Sequence, residues 1–436
     1  MTRLINGGPV SEHTGYPNGL SLEKYETDHD LKTWKSIYFK GNPEKCCLWL
    51  KQNWTGQKTL QTSYFIGTDW VETGTLAVYV EPKLNDAAKN TDYFKMLFEG
   101  FKNPDIASYL PDIFEIKLNE PPIIIPSTLD VLTPLLVIQF LNVLKELVRK
   151  GLKKSHQPVE ANLSNRIKGK LLVGRQIKQN ILKNQQLKNY CRFNTFSVDG
   201  PENRVLKKAL QFAVRYIDSG ALKAYRPTFE KLLNYIHPAF TDVGDIATVE
   251  DLRHFKVNAF FKDYQQAVHL AHMIFKRYGF NINSINVTAK VVTVPPFWID
   301  MSKLYELYVL AQLKKQEYGR LIRFQPAGRY GAPDFLLLKE KNLMVIDAKY
   351  KPYYSDEYVA ADIRQLSGYA RDEGVLAVLN AQEEPLKSTV IDCLIIYPTK
   401  EASLSTSLAL SDLKGDKIQQ FNRFYKKALE LPFQNS

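Results

Sequence analysis

Short apolar runs broken by polar punctuation dominate the first hundred residues. "CCLWL" (46–50), "SYFIGTDWVE" (63–72) and "LAVYVEP" (76–82) are rich in β-branched and aromatic residues, with Gly67, Gly74 and the Glu81-Pro82 step as punctuation, and they predict strands. Further along the period lengthens. "NRVLKKALQFAVRYI" (203–217) and "DYQQAVHLAHMIFKRYGF" (263–280) place apolar residues every three to four positions and predict amphipathic helices. The longest apolar stretch, "LDVLTPLLVIQFLNVLKELV" (129–148), is interrupted by Asp130, Pro134, Gln139, Asn142 and Lys145. It falls short of the roughly twenty mainly apolar residues of a spanning helix, so a core helix is expected. Near the carboxy terminus, "FLLL" and "LMVI" flank "KEKN" and read as two buried strands joined by a hairpin turn.

Together these patterns predict an α+β protein in three consecutive parts. They are a β-rich domain over 1–150, a mainly helical basic region over 151–294 and a carboxy-terminal α/β domain over 295–436. "VVTVPPFWID" (291–300) is the expected linker, because Pro295-Pro296 disfavours helix on both sides. With 436 residues the chain is long enough for two or three domains.

Charge sharpens the middle part. The net charge is +12, and between Lys145 and Arg192 stand thirteen lysines and arginines against only Glu146 and Glu160. Such concentration suits a phosphate backbone. Within it Arg166, Lys168, Lys170, Arg175 and Lys178 alternate with apolar residues, the pattern of a folded basic surface rather than a loose tail. These five are the candidate DNA contacts; a solvated charged face is the bland alternative.

Cysteine usage adds little. Cys46, Cys47, Cys191 and Cys393 form neither a disulfide framework nor a paired zinc spacing. No secretion signal is expected at the amino terminus, and a reducing cytoplasm is the expected compartment. His269 and His272 stand at i and i+3 without partner ligands at metal spacing, so a core or interface role is expected.

The carboxy-terminal hairpin carries the chemistry. In "RYGAPDFLLLKEKNLMVIDAKYK" (329–351), Asp334 opens the first strand while Asp347 and Lys349 close the second on one face. Pairing across the hairpin can bring Asp334 opposite them. Two carboxylates and an ammonium at an oily sheet end form either a plain ion pair or a site for a hard divalent cation with substrate phosphate.

"PDF" at 333–335 followed by "DAK" at 347–349 resembles the PD-(D/E)xK nuclease signature. That resemblance implies magnesium held by Asp334, Asp347 and the Ala348 carbonyl, with Lys349 positioning or activating water. "DIRQLSGYARD" (362–372) sets Gln365 and Tyr369 four apart on a helical face, similar to the Q-x-x-x-Y element of RecB-like members. It implies Gln365 in the catalytic group and Tyr369 at the DNA. "DMSKLYELYVLAQL" (300–313) is helically spaced and carries Glu306 where members of the superfamily often have an upstream acid; a solvated helix residue is the alternative.

The order of segments resembles the McrC family, nuclease subunits of McrBC-type modified-cytosine restriction systems. The similarity runs over 159–397, through "GRQIKQNI" (174–181), "CRFNTFSVDGPENRVLKKAL" (191–210), "PPFWIDMSKLYELYV" (295–309), "PDFLLL", "IDAKYK" and "RQLSGYA" (364–370), with only "TGTLAVYVEPKL" (73–84) before it. The sequence has no G-x-x-x-x-G-K-[ST]. The resemblance therefore implies a separate McrB-like AAA+ partner that binds and hydrolyses GTP and on which the 1–150 domain docks, double-stranded, modified DNA as substrate, and no membrane. A self-sufficient RecB-like repair nuclease and an inactive DNA-binding scaffold are the competing readings.

Overall fold

A computed structural model describes residues 3–4, 10–11, 20–21, 36–52, 58–84, 91–101, 109–117, 120–126, 132–219, 222–245, 262–277, 291–326, 331–339, 342–351, 356–379, 390–399 and 407–433. The fold is α+β. It divides into two compact units, one formed by Met1–Ile124 with Thr293–Ser436 and the other by Ile125–Val292. These units are drawn differently from the three consecutive parts expected.

In the first unit the predicted amino-terminal strands form, as Cys46–Gln52, Phe65–Glu72 and Leu76–Glu81. The segment expected to be a linker is instead two strands, Val291–Val294 and Phe297–Asp300. Phe297–Asp300 lies between Phe65–Glu72 and Phe114–Ile116, antiparallel to both, with all four residues buried. Its composition explains the correction. Phe297, Trp298 and Ile299 have more to gain from burial than a linker can offer, and the Trp298 indole N–H finds the buried Asp69 carboxylate at 2.7 Å. Asp69 is also paired with Lys117 at 2.7 Å, so its charge does not stand alone in the core. Gly67 permits the close approach: a Cβ there would sit 2.0 Å from the Phe297 carbonyl oxygen. The two prolines separate two strands, and the division between the two units falls just before them, between Val292 and Thr293.

The carboxy-terminal sheet of the same unit has the order Ile322–Phe324, Phe335–Lys339, Asn342–Ala348, Asp392–Thr399, Phe424–Glu430, Asp416–Lys417. The first three strands pair antiparallel, and the next two join parallel. The expected hairpin is present, although Glu340 and Lys341 of its turn lie outside the described residues. On one face, Leu336, Val345, Cys393 and Ile395 pack against Ile363 and Leu366 of the helix Asp356–Tyr369 and against Val375 and Leu379. Phe335, Leu337, Met344 and Ile346, pointing the other way, are buried as well. Cover on both faces accounts for continuous apolar runs in place of alternation.

The helix Met301–Lys314 begins where Phe297–Asp300 ends. Asp300 caps it by accepting from the Lys303 backbone N–H at 3.0 Å. Ten of its fourteen residues are buried, as expected of a helix that is apolar nearly all round.

The second unit contains the helices Leu132–Lys150, Pro201–Ser219, Arg226–Ile236 and Lys262–Arg277. The interrupted apolar stretch is indeed a core helix, with Leu132 through Leu141 buried. The basic run is not helical in the main. It folds as a ten-residue antiparallel ribbon, Ser155–Ser164 against Lys188–Ser197, with Lys170–Leu171 added on one edge and the short helix Val173–Gln179 following. A polar knot fastens this ribbon: buried Asn180 exchanges hydrogen bonds with Asn162 and donates to Gln176 and to the Lys188 carbonyl. His272 is half-buried and His269 exposed on the helix Lys262–Arg277. Among the described residues no helix is long and apolar enough to cross a membrane.

Candidate active site

Hairpin register builds the centre of the site. Phe335 pairs with Ile346, so Asp334, one residue before the strand, comes opposite Asp347. The two strand ends are tied together there: the Ala348 backbone N–H donates to Asp334 Oδ2 at 2.8 Å. Lys349 follows the second strand immediately and is tied to the next one through its N–H to the Ile396 carbonyl, 2.9 Å. Its Nζ lies 2.5 Å from Asp347 Oδ2. Among the described residues that buried oxygen has no partner besides the Lys349 ammonium. An oxygen left in this condition has lone pairs available for a cation.

The helix Asp356–Tyr369 supplies the next layer. Lys349 Nζ donates to Gln365 Oε1 at 2.8 Å, and Gln365 Nε2 donates to the Tyr369 hydroxyl at 3.1 Å. The i,i+4 spacing read from the sequence thus becomes a chain leading from Asp347 to the exposed side of the helix. Gly331, with φ +130°, lies against the Tyr369 ring, where a Cβ would approach to 3.1 Å.

Glu306 is not the solvated residue of the alternative reading; it is 8% exposed. Lys303 Nζ donates to both its oxygens at 3.0 Å, and Gln325 Nε2 donates to Oε1 at 2.7 Å. Its carboxyl is pushed up, first by burial and also by the charge of Asp347, while Lys303 and Gln325 pull it down. Asp334 is pushed well above the usual carboxylate range by burial, then by Asp347 and Glu306, against the Ala348 N–H and Lys349. Burial pulls the Lys349 ammonium down, but Asp347, with Asp362 and Asp334, outweighs it and leaves the group above its ordinary value. The site is therefore a buried excess of negative charge that one more cation would relieve.

The donor set fits a hard divalent ion: two adjacent carboxylates, one with a buried oxygen paired only to Lys349 among the described residues, beside the Ala348 carbonyl. Among the described residues no three acids, histidines or cysteines gather tightly enough to hold a metal alone. The remaining positions would fall to water and phosphate.

The five basic candidates lie elsewhere, on the second unit, and all are exposed. Lys168 Nζ sits 4.4 Å above the Phe193 ring. Arg175 is less available than the others, because it pairs with Glu160 and donates to the Tyr190 hydroxyl at 3.0 Å. Glu160 also binds Arg192, with Nε at 2.9 Å. Gln325, Lys303 and Gly331 went unsuspected. Lys303 could have been suspected from its i,i+3 spacing to Glu306, and Gly331 from its place beside the Pro-Asp step; Gln325 carries no local signal.

A family model described as "McrBC 5-methylcytosine restriction system component" matches residues 60–374. The chain belongs to the McrBC family. The match takes in the hairpin, Gln365, Tyr369 and the ribbon, and reaches back into the amino-terminal sheet that showed only one similar segment. No curated protein matches this McrBC-family chain. Among solved structures it is similar to the "refined half-complex from tetradecameric assembly of Thermococcus gammatolerans McrB AAA+ hexamers with bound McrC", at 16% identity over 98% of this chain and 94% of that one, with a TM-score of 0.35. It is also similar to the Thermococcus gammatolerans McrBC complex, at 18% identity over 72% of this chain and 87% of that one, with a TM-score of 0.30.

Proposed function

We propose that this member of the McrBC family is the magnesium-dependent endonuclease subunit of its restriction system, cutting DNA when engaged with a GTP-hydrolysing McrB-like AAA+ partner. The observation that carries the reading is the meeting of Asp334 and Asp347 across the strand ends, with Lys349 on Asp347 and Gln365 behind it. An ion pair kept only for stability would not need a second buried carboxylate beside it. The absence of a P-loop in the sequence supports a division of labour in which a partner supplies the motor.

In this reading Asp334, Asp347 and the Ala348 carbonyl hold the metal. Magnesium, when bound, offsets charge on the attacked phosphate and makes its water more acidic. The chain's own residues do the rest. The Ala348 N–H holds Asp334 Oδ2 at a fixed distance, and Lys349, restrained between Asp347 and Gln365, keeps an ammonium aimed at the phosphate or at the attacking water. Tyr369 fixes the Gln365 amide from the far side and offers an exposed hydroxyl to the DNA backbone.

The ribbon admits a second use. Beside its basic residues it exposes Ile167, Val173, Leu182 and Leu187, each at least 61% accessible. Several large apolar side chains exposed on one element favour a protein surface over bare phosphate. The ribbon is thus a second candidate, besides residues 1–150, for the surface that meets the AAA+ partner.

The test combines the purified chain, its McrB-like partner, GTP, magnesium and methylated plasmid. Cleavage should require all of them, and Asp347→Ala should reduce it by at least about a hundredfold while leaving DNA retention and the melting curve of the rest of the chain in place. Full cutting by Asp347→Ala would remove the site assignment. Magnesium-dependent cutting by the chain alone, indifferent to GTP, would favour the self-sufficient nuclease.

A further inference from the structure

Gln325 follows the strand Ile322–Phe324 with φ +42°, in the left-handed region. Glycine is what such a position ordinarily selects, because a Cβ is strained there. Strain retained beside a cluster of acids points to work done by the side chain. That side chain donates from Nε2 to Glu306 Oε1 at 2.7 Å, while the backbone N–H of the same residue donates to the Asp334 carbonyl at 2.8 Å. One residue thereby ties the acid of the helix Met301–Lys314 to the acid of the hairpin. Lys303 grips the same carboxylate, 3.0 Å from each oxygen, with its Nζ 5.2 Å from the Phe324 ring centroid.

We infer that Gln325 is a positioning residue: with Lys303 it fixes the Glu306 carboxylate toward Asp334 and Asp347, so that this third acid strengthens cation binding through charge and water. The inference rests on the metal-dependent nuclease reading above. A direct bond from Glu306 is not required, since the acids do not form a ready-made three-ligand cluster. Partners of this kind act by holding a neighbour in orientation, and their loss typically weakens metal affinity tenfold or more. A purely structural role predicts the opposite balance. The Gln325 side chain is on the surface and Lys303 already neutralises Glu306, so a structural contact would register in stability rather than in metal affinity.

The experiment titrates Mn2+ into the metal-free full-length chain, reading free Mn2+ by electron paramagnetic resonance, for wild type, Gln325→Gly, Gln325→Asn, Glu306→Gln and the Glu306→Gln/Gln325→Gly pair. Melting curves of the metal-free proteins accompany the titration. Gln325→Gly should bind Mn2+ about tenfold more weakly yet melt no lower than wild type, because glycine relieves the backbone. Gln325→Asn tolerates the left-handed backbone but falls one methylene short, and should bind as weakly as the glycine variant. The double variant should bind no more weakly than Glu306→Gln alone, since both changes remove one coupled function. Wild-type affinity in Gln325→Gly, a lowered melting point with unchanged affinity, or additive losses in the double variant would overturn the inference while leaving the nuclease reading intact. A wild-type chain that binds no Mn2+ overturns both.

Discussion

Replacing Asp334 with asparagine should make the metal-free protein more stable while abolishing its response to magnesium. The carboxyl is pushed well above its usual range by burial and by the charges of Asp347 and Glu306. A carboxyl whose folded-state value exceeds its unfolded value binds more protons in the folded state, so stability falls as pH rises from the ordinary aspartate range, about 3.9, through the raised value. Below that window both states are protonated and the cost vanishes. Above it the folded protein carries the full repulsion. Like charges in contact repel by a few kcal/mol at an effective dielectric near 20, and Lys349 offsets part of this. About 1–3 kcal/mol of destabilisation remains at pH 8. The substituted side chain keeps an oxygen that can accept from the Ala348 N–H, so the gain is not cancelled by a lost hydrogen bond. At roughly 2–4 °C per kcal/mol for domains of moderate size, Asp334→Asn should melt about 2–12 °C above wild type in EDTA at pH 8, with the difference shrinking toward pH 4. Magnesium should raise the wild-type midpoint by mass action and leave the variant unmoved. A variant less stable than wild type at pH 8, or parallel pH profiles for the two proteins, would show that the acids are not in electrostatic conflict.

Two further outcomes follow from other parts of the chain. Gly67→Ala forces a Cβ to within 2.0 Å of the Phe297 carbonyl oxygen and should destabilise by about 3 kcal/mol, read as a lowered urea midpoint; a midpoint within experimental error of wild type would mean that Phe297–Asp300 does not hold the centre of that sheet. Joint neutralisation of Arg166, Lys168 and Arg175 should reduce the slope of log affinity against log salt by about two rather than three, because each phosphate contact contributes roughly 0.9 and Arg175 is already engaged by Glu160; an unchanged slope would assign the ribbon to the protein partner alone.

The hairpin was legible because local order sufficed to specify it. Two apolar runs flanking a four-residue break set the register, and register alone brings Asp334 to the Ala348 N–H and Asp347 within reach of Lys349. Gln365 and Tyr369 were equally readable, since four residues along a helix is a neighbour relation. The basic ribbon was read correctly as charged and exposed but not as β. Its strands face water on both sides, so only Leu163 and Cys191 are buried in it and the period-two signal that marks a strand is nearly absent.

What stayed hidden depends on contacts far apart in the chain. Phe297–Asp300 looked like the start of a carboxy-terminal domain because its two prolines break local structure, yet its partners Phe65–Glu72 and Phe114–Ile116 come from the opposite end of the sequence. Nothing within a window around Trp298 reveals that Asp69, 229 residues earlier, offers its indole a carboxylate. Glu306 belongs to the same class of problem. Its own helix supplies Lys303, which by itself would describe a surface ion pair of small worth. Only the return of the chain through Gln325, in a backbone conformation that glutamine adopts at a cost, turns that pair into part of the acid cluster. The direct strand connection from the amino-terminal sheet into the helix Met301–Lys314 then has a physical consequence. The buried inner strand of one sheet starts the helix that carries the third acid, so a change that loosens Trp298 should reach the proposed metal site through Asp300 and Glu306 without touching either Asp334 or Asp347.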